Sequence, residues 1–223
     1  MKLLAIDTSS AALSIAACAD GNISERLETA PRQHAEKILQ FIDSVLADLN
    51  IELTELDAIA YGYGPGSFTS LRIGLGVVQG LALGADLRVI PVSSLLTVAQ
   101  AATPAEKQHS LVCMDARMGE VYTAACVRNA SGLMQRVSAE KVCPPADVNI
   151  PDTDDWIALG NGFSEYRDQL PSIKQVITDC WPLATAMLAL AKPQLEAGNT
   201  LDAAEVLPRY VRNKVAKTIK ERQ

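Results

Sequence analysis

Apolar positions along this chain change period several times, and each change predicts an element. Residues 3–6 and Leu13–Ala19 are short apolar runs separated by the polar turn Asp7-Thr8-Ser9-Ser10. Asp20-Gly21 reads as a hairpin turn into a third run, residues 23–29. Three antiparallel strands are thus expected to open the chain. Over residues 33–50 the period turns helical: Ala35, Ile38, Leu39, Ile42, Val45, Leu46 and Leu49 share a face, with Glu36, Lys37, Gln40, Asp43 and Asp48 opposite. Phe41 widens this stripe beside Ile38 and Val45, leaving room for the core on one side and a partner on the other. His34 is expected at the exposed start of the helix.

Residues 57–61 read as a buried strand, followed by a Gly/Pro loop, a helix from about Ser67 to Gly84, a strand over 88–92 and a helix over 93–102. Such alternation predicts an α/β lobe. Thr103-Pro104-Ala105 is the best boundary and divides residues 1–104 from a smaller lobe, 105–223. Beyond it the opening theme restarts: a strand over 110–114 ending in Asp115, a turn at Met118-Gly119, and a return over 121–127. Two half-chains that each open strand–Asp–turn–strand imply an old internal duplication. Trp156–Leu159 predicts a further strand, then Gly160-Asn161-Gly162, a helix over 163–169, and a last helix over 182–197 with Pro182 at its start.

Composition narrows the function classes. Aromatic residues are 4% of the chain, too few for the base-stacking platforms of single-strand nucleic-acid binders. The net charge of −6 argues against a large non-specific nucleic-acid surface. Its distribution is uneven: residues 209–223 hold Arg209, Arg212, Lys214, Lys217, Lys220 and Arg222 against Glu221, so the tail carries +5 and the remainder −11. Five dispersed cysteines without a C-x-x-C pair fit reduced thiols. No signal region precedes the first strand, and no run is expected to span a membrane, so the expected location is the cytoplasm.

The densest motif is Gly62-Tyr63-Gly64-Pro65-Gly66-Ser67-Phe68-Thr69-Ser70-Leu71-Arg72. Its glycines force an unusual turn, and Ser67 is placed to cap the next helix. A phosphate loop of the Walker type needs a Lys that is missing here. Along the helix Gly76, Gly80 and Gly84 fall four apart, with Gly74 nearby. Each interior glycine costs about 1 kcal/mol relative to alanine, so a close backbone neighbour is expected, either the protein's own sheet or helix or another subunit. Asp7, Thr8, Ser9 and Asp115 are weak candidates for cofactor binding, occupying corresponding turns of two lobes. Metal chemistry has little support, because His34 and His109 lack partners at ligand spacing.

Ala5-Ile6-Asp7-Thr8-Ser9, the Gly62–Arg72 motif, Met114–Tyr122 (MDARMGEVY), Leu159-Gly160-Asn161-Gly162 and Pro208-Arg209-Tyr210-Val211-Arg212-Asn213 occur in an order and spacing that resemble the TsaB (YeaZ) family of bacterial tRNA threonylcarbamoyladenosine synthesis. The resemblance spans the whole chain. It implies an ASKHA (actin/Hsp70/sugar-kinase-like) α/β fold of two lobes, each a mixed sheet flanked by helices. It also implies a non-catalytic scaffold that pairs with the enzyme TsaD and is joined by the ATPase TsaE, with tRNA reached only through the complex and homodimers in isolation. TsaD-like sequences carry two metal-binding histidines four positions apart where this chain has Ser94 and Val98, so the metal is expected on TsaD and ATP on TsaE. The partner interface expected from the resemblance comprises Ile38, Phe41, Val45, Arg72, Leu75, Gly76, Gln79, Gly80 and Leu83. The alternative is an ATP-using ASKHA small-molecule kinase resting on Asp7 and Asp115.

Overall fold

The computed structural model describes residues 1–29, 33–150 and 155–212. Five strands form the first sheet: β1 (Leu3–Asp7), β2 (Leu13–Ala19), β3 (Asn22–Glu28), β4 (Ala58–Gly64) and β5 (Arg88–Ser93), in the order β3-β2-β1-β4-β5. The first three are antiparallel neighbours, and β4 and β5 run parallel to β1. The second sheet contains β6 (His109–Arg117), β7 (Glu120–Arg128), β8 (Met134–Arg136), β9 (Lys141–Cys143), β10 (Trp156–Leu159) and β11 (Gln175–Ile177), in the order β11-β10-β6-β7-β8, with β9 also on β7. Here β6, β7 and β8 are antiparallel and β10 and β11 are parallel to β6. The two sheets share one topology, as an internal duplication requires. The short strands β8, β9 and β11 lack a run long enough for periodicity to find.

Two helices cover one face of the first sheet. Helix α1 (His34–Asp48) buries Ile38, Ile42, Val45 and Leu46, and α2 (Phe68–Ala85) buries Leu71, Gly74, Val78 and Ala82. Helix α3 (Ser94–Ala102) begins where β5 ends, its N-cap Ser93 accepting the Leu96 N–H at 3.1 Å. It buries Leu95, Val98 and Ala99 against the second sheet. The short α4 (Gly162–Glu165) occupies one turn of the longer helix expected there, and Phe163 packs on that sheet's other face.

The last helix departs from the expected division of the chain. Helix α5 (Ala184–Glu196) packs Ala184, Met187, Leu188 and Ala191 against Leu3, Ala5 and Ala16 on the first sheet. The segment after residue 183 therefore returns to the first lobe and does not extend the second. Pro182 lies two residues before the helix, whose N-cap is Leu183. Such a return leaves no trace in local pattern, because an apolar helix face does not name the sheet it covers.

Two further expectations change on burial. His34 is 3% exposed, with Nε2 3.3 Å from the Ala11 carbonyl, not an exposed helix start. Ile38 and Val45, expected on a partner face, are 1% and 0% exposed, and each contributes about 1.5–3 kcal/mol to its own core. All five cysteines are free; burial pushes Cys113 and Cys126 up to about 12, so both stay thiols at neutral pH.

A candidate partner-binding face and the turn beneath it

The Asp7-Thr8-Ser9 turn and the glycine loop after β4 are one interlocked unit. Asp7 is fully buried; Oδ1 accepts from the Ser9 N–H (2.8 Å) and hydroxyl (2.7 Å), and Oδ2 from the Ser94 hydroxyl (3.3 Å). Burial pushes its carboxyl up to about 6, against the partial pull of those three donors. Gly62 faces it so closely that a Cβ there would lie 2.0 Å from Asp7 Oδ2. A Cβ on Gly66 would meet the Ser9 carbonyl at 2.2 Å, and one on Gly74 would meet Thr8 Oγ1 at 2.4 Å. The Ser67 N–H donates to the Ser9 carbonyl at 2.7 Å and Thr8 Oγ1 donates to the Ser70 carbonyl at 2.7 Å.

Three glycines thus seat three turn residues, which is the physical reason for the motif. The N–H of Ser67, which at a bare helix start would be free for an anion, is already bonded. Ser67 is the N-cap by position, but its side chain makes no capping bond and accepts instead from Ser70 Oγ at 3.0 Å. Gly62→Ala is expected to lower stability by about 2 kcal/mol through overpacking against a buried carboxylate, measured as a lower urea midpoint with unchanged slope.

Asp115 is placed differently. Its Oδ1 accepts from the Tyr166 hydroxyl (3.0 Å) and the Arg117 N–H (2.8 Å), and its Oδ2 lies 3.1 Å from the Arg117 guanidinium. No hydrogen bond among the described residues joins it to Asp7, Thr8 or Ser9. The hairpin tip beyond it holds Arg117, Met118 and Gly119 in the left-handed region, at φ 63°, 61° and 77°.

The outer face of α2 has the opposite character. Gly76, Gly80 and Gly84 are exposed, and a Cβ on any of them would meet nothing within 4 Å among the described residues. Only 22% of this 18-residue helix is buried, although it is apolar and long enough to cross a membrane. Leu83 is 75% exposed at one end. At the other, Phe68 is 39% exposed, stacks on Tyr210 with centroids 5.3 Å apart, and lies under the Arg72 guanidinium at 3.9 Å. The expected set divides accordingly: Arg72, Gly76, Gly80 and Leu83 face outward, Leu75 and Gln79 are half-buried, and Phe41 packs partly on the core. Gln79 Nε2 also donates to the Ala203 carbonyl at 3.2 Å. Among the described residues, no sheet or helix of the chain itself comes within 4 Å of a Cβ on Gly76, Gly80 or Gly84, whereas Gly74 meets its own chain at Thr8.

The C-terminal segment extends this face, which sequence reasoning missed. Leu201 bridges to Val89, the Arg209 N–H donates to the Tyr63 carbonyl at 2.8 Å, and Tyr210 reaches Arg72 and Phe68. Gly64 leaves the room this strap needs, since a Cβ there would lie 3.1 Å from the Arg209 carbonyl. The apolar-basic run from Leu207 to Arg212 was the available signal. The basic residues Lys214, Lys217, Lys220 and Arg222 lie outside the described residues.

Comparison with known proteins places this geometry among relatives. Residues 27–219 match the family model described as TsaD, tRNA N6-adenosine threonylcarbamoyltransferase. The tRNA threonylcarbamoyladenosine biosynthesis protein TsaB of Escherichia coli (strain K12) is 38% identical over 97% of this chain and 96% of its own. The TsaB protein of Haemophilus influenzae is 38% identical over 96% and 95%. The solved structure of YeaZ from Pseudomonas aeruginosa superposes with a TM-score of 0.89 at 36% identity, covering 94% of this chain and 99% of its own.

Proposed function

The chain belongs to the TsaB family and has its ASKHA-type α/β fold, and from that premise we propose that it serves tRNA threonylcarbamoyladenosine biosynthesis as a non-catalytic scaffold that dimerises with TsaD. The observation that carries this reading is the outer face of α2, apolar, studded with glycines and open along its length. A soluble protein gains nothing from leaving such a helix bare, because each interior glycine weakens it by about 1 kcal/mol and its apolar surface stays in water. A second helix laid along Gly76, Gly80 and Leu83 removes that surface and uses the missing side chains for close approach. Two copies of this chain meet by the same face when TsaD is absent, so homodimer and heterodimer compete.

The reading assigns catalysis to the partner. Ser94 and Val98 stand where TsaD-like proteins carry their metal-binding histidines. Here Ser94 Oγ is hydrogen-bonded to Asp7, and Val98 is 1% exposed in an apolar core with no donor atom to offer a metal. In this reading the metal belongs to TsaD and ATP to TsaE, which joins the pair, and the complex forms in the cytoplasm. The product is the threonylcarbamoylated adenosine beside the anticodon of tRNAs reading ANN codons, and the basic tail supplies phosphate contacts to tRNA in the complex.

Reconstitution tests this. TsaD, TsaE and a threonylcarbamoyl donor should modify tRNA only when the chain is added, and light scattering should show a heterodimer with TsaD. Activity of this chain without TsaD, or full modification without this chain, would sink the proposal.

A further inference from the structure

The strap joins the two lobes by a different kind of contact from α3. Helix α3 follows β5 directly and buries Leu95, Val98 and Ala99 in the core of the second sheet, an apolar joint. The strap's contacts are mostly polar, and they fall into two groups. Along residues 201–210 it lies on the first lobe. There Leu201 bridges to Val89, the Tyr61 hydroxyl donates to the Leu207 carbonyl at 3.1 Å, and the Arg209 N–H donates to the Tyr63 carbonyl. Tyr210 closes this group against Phe68 and Arg72 at the start of α2. At its arginines the strap reaches the second lobe: the Arg209 guanidinium lies 3.4 Å from Glu140, and Arg212 is ion-paired with Glu120 on β7. Tyr210 and Arg212 thus stand two positions apart in sequence and hold different lobes.

What Arg212 holds is a strained tip. Arg117 pairs with Glu120, so the β6–β7 turn has two residues, Met118 and Gly119, both left-handed. Asn-Gly is the usual pair for such a turn. Here Met118 fills the first place, and Arg117 before it is left-handed as well. A Cβ crowds the following carbonyl in that conformation, and residues keep it only where their surroundings hold them. Asp115 fixes the Arg117 N–H from within. Arg212 supplies the hold from outside: Nη2 donates to the Arg117 carbonyl at 3.2 Å, Nη1 lies 3.6 Å from Met118 Sδ, and the side chain is only 11% exposed.

We propose that the strap is a conformational clasp that couples the start of α2 to the β6–β7 tip. The seat of Tyr210 on Phe68 and Arg72, and the left-handed tip under Arg212, are kept or lost together. A polar, half-exposed grip opens at a lower free energy than a packed joint such as α3, so the clasp can release while both lobes stay folded. Coupling of this kind is reciprocal: whatever frees one end loosens the other by the same factor. Phe68 and Arg72 stand at the edge of the face assigned to TsaD. Occupancy of that face then reaches the second lobe, a consequence that rests on the pairing proposed above. The clasp itself is a property of this chain alone.

Two readouts on the isolated full chain test it without TsaD. Hydrogen exchange of the Arg209 amide reports the seat on the first lobe, and the NMR shift of the Met118 methyl reports the tip. Glu120→Gln, in the second lobe, should speed Arg209 exchange at least about fivefold. Phe68→Ala, in the first, should move the Met118 methyl toward its position in Arg212→Ala, where the grip on the tip is absent. Phe68 is exposed and Glu120 and Arg212 are half-buried, and β1 amides should keep their wild-type exchange, which separates release of the clasp from a general loss of stability. In a chain that already carries Arg212→Ala, Phe68→Ala should leave the Met118 methyl where it is. Effects confined to the lobe in which the change is made overturn the proposal. So does a Met118 shift that survives Arg212→Ala, because the coupling then runs through α3.

Discussion

A leucine at position 80 is expected to leave the isolated chain folded while weakening its association with TsaD at least about a hundredfold. The two halves of that expectation come from one observation. Among the described residues a Cβ on Gly80 meets nothing within 4 Å, so the methyl of alanine fits without collision and the isobutyl group of leucine starts from open space. Helix propensity alone then makes Gly80→Ala stabilising by about 1 kcal/mol, and Gly80→Leu by a little less. If the glycine served the chain's own packing, both variants would be destabilised.

The contact with a partner responds in the opposite sense. Packed helices lie about 8–10 Å apart depending on the residues between them, and glycines four apart give the small end of that range. Four carbon atoms inserted at the centre of such a contact push the axes apart and open gaps along Gly76 and Leu83, losing dispersion contacts that each residue makes separately. Thermal melts of the variant alone, together with light scattering of its mixture with TsaD, read both halves. Full-strength association by Gly80→Leu would move the interface off this face. A cooperative melt at lower temperature would return the glycine row to the fold.

Strands and long helices of both lobes were legible in the sequence because each is a periodic run with one buried side. Helix α2 was found to within a residue at each end, since glycine and proline punctuate its start and Asp86 closes it in the left-handed region at φ 53°. What the sequence concealed is non-local. The side of a stripe that faces the core depends on the sheet beneath it, so Ile38 and Val45 looked available until the fold buried them. The glycine motif signalled close packing, but only the fold shows that Gly62, Gly66 and Gly74 serve the Asp7 turn while Gly76, Gly80 and Gly84 serve nothing within the described residues. The strap from Leu201 to Arg212 reaches residues as many as 146 positions away, a distance that no local pattern records.

Asp7→Asn is expected to raise stability at pH 8 by as much as about 3 kcal/mol and to leave it nearly unchanged at pH 4. Burial in the folded chain holds the Asp7 carboxyl at about 6, against the 3.8 of an aspartate in water. Between those values the folded chain binds more protons than the unfolded one, so this group's contribution to stability falls as the pH rises. It is fully favourable below about 3.8 and reaches its lower plateau above about 6, and a separation of roughly two pKa units corresponds to about 3 kcal/mol. Asparagine keeps the geometry: its carbonyl accepts from the Ser9 N–H and hydroxyl, and its amide donates to Ser94 Oγ. It never takes a charge into a site without a cation. Urea titrations of both proteins at pH 4, 6 and 8 isolate the effect, because every other titrating group cancels in the difference. A constant difference across that range would mean that Asp7 does not titrate there. An asparagine variant that loses stability at pH 8 would mean that the buried turn needs the charge, and would reopen Asp7 as a site for a ligand cation.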